Sequence, residues 1–384
     1  MTKVLQFGEG NFLRCFIDWM VQNMNDRAGF DGTVRIIQPI GDELSPASKI
    51  LNDRNGGYHV CLRGFMDGRE IESLETITSV EGVDLASEIE KHAVIPSLRF
   101  VVSNTTEAGI QYVKGADTFP AKALRLLKAR RAAGLPGLVF IPCELIEHNG
   151  DNLKSCILKH LADDDSMDAP SKDRLEKYIS EDCVFCSTLV DRIVAGRPDP
   201  ESAERYAARL GERDEVLVCG EPFHFFVIEI PEGFDLEAEF PLKAAGVNVV
   251  YTRDMQPYRT RKVRFLNAAH TSIVYWGLER GFKEVAEVVN DPDGNAFLRK
   301  LLFEEIFPTV DLPDGEKTDY ANSVLERFTN PFAHHQLSSI ALNTIAKWKT
   351  RCLPVVCDYC KLFGKLPDCM MEGYAAIARH YDAR

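Results

Sequence analysis

Long apolar runs are missing from this sequence: none of its stretches approaches the ~20 consecutive apolar residues a membrane-spanning helix needs. Positive charge is also in short supply. Forty-five Lys and Arg face 58 Asp and Glu, a net charge of −13, which argues against a general polyanion-binding surface such as nucleic acid requires. A local basic pocket for a small acidic molecule is still compatible with that balance. The N-terminal MTKVLQFGEG passes directly into a strand-like segment, without the apolar core of a secretory signal. The 11 cysteines are odd in number and scattered from Cys15 to Cys369, so they do not read as a disulfide framework. These absences together predict a cytoplasmic protein with reduced thiols and no membrane or nucleic-acid partner. Two CxxC pairs, Cys183 with Cys186 and Cys357 with Cys360, have the spacing of zinc ligands. In a strand-like run, however, Cys183 and Cys186 point to opposite faces, and the second pair lies in a helix-like segment. No metal site is expected.

What is present suggests two or three domains, with 45% hydrophobic residues to build their cores. Strand-like runs at Lys3–Phe7, Val34–Gln38, Arg99–Ser103, Gly137–Pro142 and Val184–Val190 alternate with helix-like segments. Those segments include Asn11–Asn25, Pro120–Ala133 and Leu153–Ala162. Such alternation predicts an α/β fold, a Rossmann-like doubly wound parallel sheet over residues 1–250, with Val216–Cys219 and Phe225–Ile230 closing the domain. The charged segment Ala162–Lys177 reads as a solvated loop, with at most a short helix. From residue 251 to 384 the texture becomes mainly α-helical. Lys262–Arg280, Asn295–Ile306, Tyr320–Phe328, His334–Lys349 and Asp368–Tyr381 read as helices, separated by Pro313, Pro331 and Pro354. No internal repeat is visible.

The first strand runs into Phe7, Gly8, Glu9, Gly10, Asn11, Phe12, Leu13 and Arg14. A glycine pair at a strand-to-helix turn lets the backbone approach a pyrophosphate, which the helix N-terminus then stabilises. Leu13 stands where the third glycine of the dinucleotide fingerprint usually falls, and a bland tight turn accounts for a lone GxG about as well. Arg14 is a candidate phosphate contact, against an ordinary surface salt bridge. Strand two ends at Gln38, with Asp42 the nearest acidic residue and no arginine placed for a 2′-phosphate. NAD is therefore favoured, with NADP left open. Asn104 and Thr105, after the Arg99–Ser103 run, fall where the cofactor crevice of such a sheet would lie, or else serve as a plain helix cap.

The stretch RKVRFLNAAHTS places Lys262, Asn267 and His270 in a helix that otherwise looks half buried. At about 100° per residue, Asn267 lies roughly 140° and His270 roughly 80° around from Lys262, while Arg264 points away. On spacing alone, a snorkelling lysine and a satisfied interior histidine explain this better than a catalytic site does.

The segments FGEGNFLR, IPCELIEHNGDNL, FCSTLVDRIV, GEPFHFFVIE, YRTRKVRFLNAAHT and RFTNPFAHHQLSSIALN occur in this order from Phe7 to Asn343. In this, the sequence resembles the long-chain mannitol dehydrogenase family of polyol and sugar-acid dehydrogenases, and within it the sugar-acid branch. The KxxxxNxxH pattern is the most specific match. The resemblance implies metal-free hydride transfer with a nicotinamide cofactor, Lys262 as general acid and base, Asn267 at the substrate oxygen and His270 orienting hydroxyls. Partial burial of Lys262 is expected to lower its pKa toward the working range. It also implies that Glu144 lies near the cofactor, in Pro142-Cys143-Glu144-Leu145, where polyol enzymes of the family carry an Asn in place of Leu145. A sugar-acid substrate needs a cation, for which Arg327 leads, followed by Lys347, Lys349 and Arg351. Asn330 and His335 are candidates for the sugar site. Members of this branch usually continue with further helices beyond the point where this chain stops. Oligomeric state is left open.

Overall fold

The structure, a computed structural model, describes residues 1–384 apart from Asp67, His334, Ala383 and Arg384. The chain forms two compact units that are not contiguous in sequence. One comprises residues 1–62, 73–220 and 224–255, and the other 63–72, 221–223 and 256–384.

The first unit is built on six parallel strands. Their spatial order is Val80–Leu85, Thr33–Gln38, Thr2–Phe7, Phe100–Ser103, Val139–Pro142 and Val184–Phe185. In chain order this is 3-2-1-4-5-6, the arrangement of a dinucleotide-binding sheet, whose strand order reverses between Thr2–Phe7 and Phe100–Ser103. Every residue of Phe100–Ser103 and of Val139–Pro142 is buried, as a sheet covered on both faces requires. Alternate side chains feed two separate cores. Val4, Val34, Ile36, Val102 and Ile141 pack with Phe16 and Met20 on one face, and Leu5, Phe7, Ile37, Val101 and Phe140 with Leu127 and Leu153 on the other.

Several elements differ from the sequence reading. The third strand of the parallel sheet, Val80–Leu85, was not among the runs read from the sequence. Its alternation is weak because Glu81, Gly82 and Asp84 interrupt it, and Gly82 adopts φ 136°. Tyr58–Met66 and Arg69–Ile77 join Val218–Gly220 and Val194–Gly196 in a second, four-stranded sheet. The single run expected at Val184–Val190 breaks at Cys186. Its second part, Ser187–Asp191, pairs antiparallel with Phe225–Glu229 in a third sheet. The charged segment, read as a solvated loop with at most a short helix, does carry one, Ala169–Lys177, opened by an Asp168 cap that accepts from the Ser171 amide at 2.9 Å.

The second unit is mainly helical among its described residues. Its central helix runs over residues 256–278, α-helical at Gln256–Lys262, π-helical at Val263–Ala268 and α-helical again at Ala269–Leu278. Phe265, Ile273, Val274, Leu298, Val324 and Met370 belong to its core. The helix expected at His334–Lys349 begins on a residue outside those described; the remainder forms the short turns Leu337–Ile340 and Thr344–Lys347, followed by a π turn at Trp348–Cys352. Among the described residues no helix is long and apolar enough to cross a membrane.

Candidate active site

The glycine turn sits at the carboxyl end of the first strand, next to the point of strand-order reversal. The Gly8 amide donates to Ile37 O at 3.0 Å and the Asn104 amide to Phe7 O at 3.1 Å, so three strand ends meet there. Gly8 has φ 119°, and a Cβ on it would lie 3.2 Å from Asn104 O; only glycine fits without strain. Gly10 differs: a Cβ there would meet nothing within 4 Å. Its open side, at the N-terminus of the helix spanning residues 11–28, is the space a pyrophosphate needs. These residues fit a dinucleotide. Phe7 and Leu13 contribute buried side chains to the cores, so any ligand contact they make is through the backbone. Phe12 stacks on Phe16 at 5.1 Å.

Two cofactor candidates prove to be structural through their side chains. Arg14 is buried, not a surface cation; it donates to Glu9 O at 3.2 Å, to Asn11 Oδ1 at 2.6 Å and to Val216 O, and so holds the turn in shape from inside. Gln38 is likewise buried. Its amide nitrogen donates to Ile40 O and Glu43 O, and its oxygen accepts from the Ser45 amide and Ser48 Oγ, which leaves no group for a ribose. Asn104 and Glu144 sit at the crevice but also brace it. Asn104 Nδ2 donates to Cys143 O at 2.8 Å, and the Glu144 carboxylate accepts from Ser103 Oγ and from the amide and hydroxyl of Thr105. Burial pushes the Glu144 carboxyl above the usual range, opposed by those hydrogen bonds. Leu145, where polyol enzymes carry an amide, is 61% exposed.

In the second unit, the π turn changes the phase of the lysine helix. A π turn takes in one residue more than an α turn, setting the winding back by about 100°. Asn267 then comes to roughly 40° and His270 to roughly 20° from Lys262, where straight α winding would give about 140° and 80°. By this winding all three fall toward one side of the helix. Lys262 and Asn267 are half buried, and His270 is 7% exposed. The His270 ring stacks on Phe328 with centroids 4.2 Å apart and meets His335 edge-on at 4.7 Å. Its Nε2 is buried with no hydrogen-bond partner among the described residues. Burial, then His335, Arg327, Arg351 and Lys347 in turn, hold its pKa well below the ordinary histidine value, so the ring is neutral at pH 7. His335 is lowered too, by burial and by Arg327.

Of the substrate candidates, His335 therefore stands beside His270, and the others are placed differently. Arg327 faces Glu221: both side chains are 2% exposed, the closest contact is 2.8 Å, and the guanidinium also lies over the Phe223 ring. Asn330 donates to Arg63 O and accepts from the Phe332 amide, which makes it a brace for residues 63–72. Lys349 is exposed. Lys347 is half buried and donates to Ile340 O at 2.8 Å. Arg264, set aside on helical phase, pairs with Asp358 at 2.6 Å. Phe328 and Glu221 escaped the sequence reading, although RFTNP and GEPF contain them; nothing local marks a ring that supports a histidine or an acid that neutralises an arginine. Cys183 and Cys186 are buried and Cys357 is exposed. Among the described residues no group of three His, Cys, Asp or Glu is arranged to hold a metal.

Comparison with known proteins matches residues 2–239 to the mannitol dehydrogenase Rossmann domain and residues 254–384 to the mannitol dehydrogenase C-terminal domain. The altronate oxidoreductase of Bacillus subtilis (strain 168) is 40% identical, over 99% of this chain and 79% of that protein. The altronate oxidoreductase of Enterobacter sp. (strain 638) is 38% identical, over 99% and 80%. Among solved structures, a substrate-free D-sorbitol dehydrogenase superposes with TM-score 0.78 at 23% identity, covering 92% of this chain and 76% of that one. Pseudomonas fluorescens mannitol 2-dehydrogenase, in a ternary complex with NAD and D-mannitol, gives 0.76 at 22% identity, covering 98% and 78%.

Proposed function

The chain belongs to the mannitol dehydrogenase family and is an NAD-dependent oxidoreductase acting on a CH–OH group, and we propose that its reaction interconverts D-tagaturonate and D-altronate. The observation that carries this reading is the π turn Val263–Ala268, whose winding brings Lys262, Asn267 and His270 toward one side of their helix. Two further findings support the sugar-acid substrate: the altronate oxidoreductases that match nearly the whole chain, and the absence of a side-chain amide at Leu145.

The turn from Gly8 to Leu13, with Asn104 and Thr105, holds the dinucleotide, and Arg14 shapes that turn. When bound, NAD(H) supplies or accepts the hydride. In the reducing direction Lys262 Nζ gives a proton to the ketone oxygen as the carbon receives hydride; in the oxidising direction the neutral amine takes the hydroxyl proton. The Asn267 amide steadies the developing alkoxide without titrating. His270, neutral and with an unpartnered Nε2, accepts or donates one hydrogen bond to a substrate hydroxyl, which satisfies a polar atom that is otherwise buried alone.

Initial rates with tagaturonate, fructuronate and fructose, each against NADH and NADPH, test the assignment. Tagaturonate with NADH should give the highest kcat/KM. A preference for fructuronate would make the protein a mannonate-forming reductase, and a preference for fructose would make it a polyol dehydrogenase. Replacing Lys262 by Ala should lower kcat by roughly 100- to 10,000-fold with NADH affinity unchanged. A loss under tenfold removes the lysine from the chemistry.

A further inference from the structure

The cations expected to meet a substrate carboxylate are mostly engaged already, and a half-buried one that is not engaged lies within electrostatic reach of the histidine. Arg327 is paired with Glu221, Arg264 with Asp358, and Lys347 with Ile340 O, while Lys349 faces solvent. Arg351 is half buried. It makes no hydrogen bond, ion pair or ring contact among the described residues. It belongs to the π turn Trp348–Cys352, which packs against the π turn Val263–Ala268 that carries Asn267. The contact is direct at the neighbouring residue, where Cys352 Sγ lies 3.7 Å from Ala268 O and 3.8 Å from Ser272 Oγ. Arg351 is also near enough to His270 to depress its protonation. A guanidinium partly withdrawn from water without an anion is unfavourably placed, and burial lowers its pKa accordingly. An arriving carboxylate relieves that, and a planar guanidinium offers it two parallel hydrogen bonds.

We propose that Arg351 is the specificity residue of this site, receiving the carboxylate of the substrate while His270 holds a hydroxyl of the same molecule. This rests on the sugar-acid reading above and sharpens it. The chemical class selected is a six-carbon hydroxy acid, discriminated from the neutral polyol that carries CH2OH in place of the carboxylate.

Calorimetric titration of the NAD-loaded protein with D-altronate and with D-altritol, in wild type, Arg351→Met and Arg351→Lys, tests it. Methionine keeps an unbranched apolar stem, and unchanged thermal unfolding certifies that each variant is folded. Arg351→Met should weaken altronate binding by at least roughly tenfold, the lower range for a lost charge-assisted pair, and leave altritol binding within a factor of about three. Arg351→Lys should recover part of the altronate affinity. Altronate binding by the wild type that persists in Arg351→Met overturns the role of Arg351 alone. Failure of the wild type to bind altronate overturns the functional reading and this inference with it. Equal weakening of altronate and altritol overturns carboxylate selection, because it reveals a packing role.

Discussion

Asp18 has no exposed surface, and burial pushes its carboxyl up to about 7, although Tyr58, Arg14 and Gln6 pull the other way. Tyr58 OH lies 2.9 Å from one carboxylate oxygen and 2.8 Å from Arg14 O, which couples this acid to the residue that shapes the glycine turn. The other carboxylate oxygen and Gln6 Oε1 are both buried without hydrogen-bond partners among the described residues. A protonated Asp18 supplies a donor that its ionised form lacks. The folded pKa is raised above the unfolded one, so the stabilising contribution is complete below about pH 4 and is lost as pH rises through about 7. Asp18→Asn keeps the acceptor and makes the donor permanent. It should raise stability relative to wild type by a few kcal/mol at pH 8, on the order of the shift, with the difference vanishing near pH 4. Urea unfolding of both proteins across that range checks this; a difference independent of pH would show that Asp18 stays ionised. Neither this cluster nor the engagement of Gln38 was readable in the sequence, because burial of a polar side chain depends on partners such as Tyr58, 40 residues away.

At the scale of elements, the two glycines of the first turn separate two demands that the GxG letters merge. Gly8 is required by the backbone, with φ 119° and Asn104 O against its missing Cβ; Gly10 has an ordinary φ of −65° and open space. Gly8→Ala should therefore cost stability, about 1–3 kcal/mol for a side chain forced into that region, and weaken NADH as well. Gly10→Ala should leave the unfolding midpoint unchanged and weaken NADH tenfold or more, since its methyl enters the space assigned to the pyrophosphate. Fluorescence titration with NADH alongside thermal unfolding distinguishes the two. Unchanged NADH affinity in Gly10→Ala would remove the phosphate from this turn. The strand that feeds the turn was legible because Val4, Leu5 and Phe7 are apolar and both faces of the sheet are covered. The lysine helix was legible in position but not in phase. Nothing in RKVRFLNAAHTS announces a π turn, and the segment it packs against, Trp348–Cys352, lies far along the chain.

At the scale of the molecule, an α/β half followed by a helical half could be read from the order of periodicities, but the composition of each unit could not. Residues 63–72 and 221–223 group with the helical unit, far from it in sequence. The reasons lie in single long-range contacts: Arg63 over the Phe332 ring at 3.2 Å, Asn330 on Arg63 O, and the buried pair of Arg327 with Glu221. The sequence makes Arg327 the leading candidate for a substrate cation because a bidentate arginine suits a carboxylate, with an ordinary helix-terminal cation as the alternative. The structural role has a distinct signature. Removing one partner of a buried ion pair strands the other charge, at about 3–5 kcal/mol, whereas removing both is often nearly neutral. Arg327→Met should therefore lower the urea midpoint sharply, and the double variant Arg327→Met/Glu221→Met should recover much of the loss. Were Arg327 instead a substrate ligand with little structural weight, the single variant would unfold like the wild type and lose altronate affinity, and the second substitution would restore nothing.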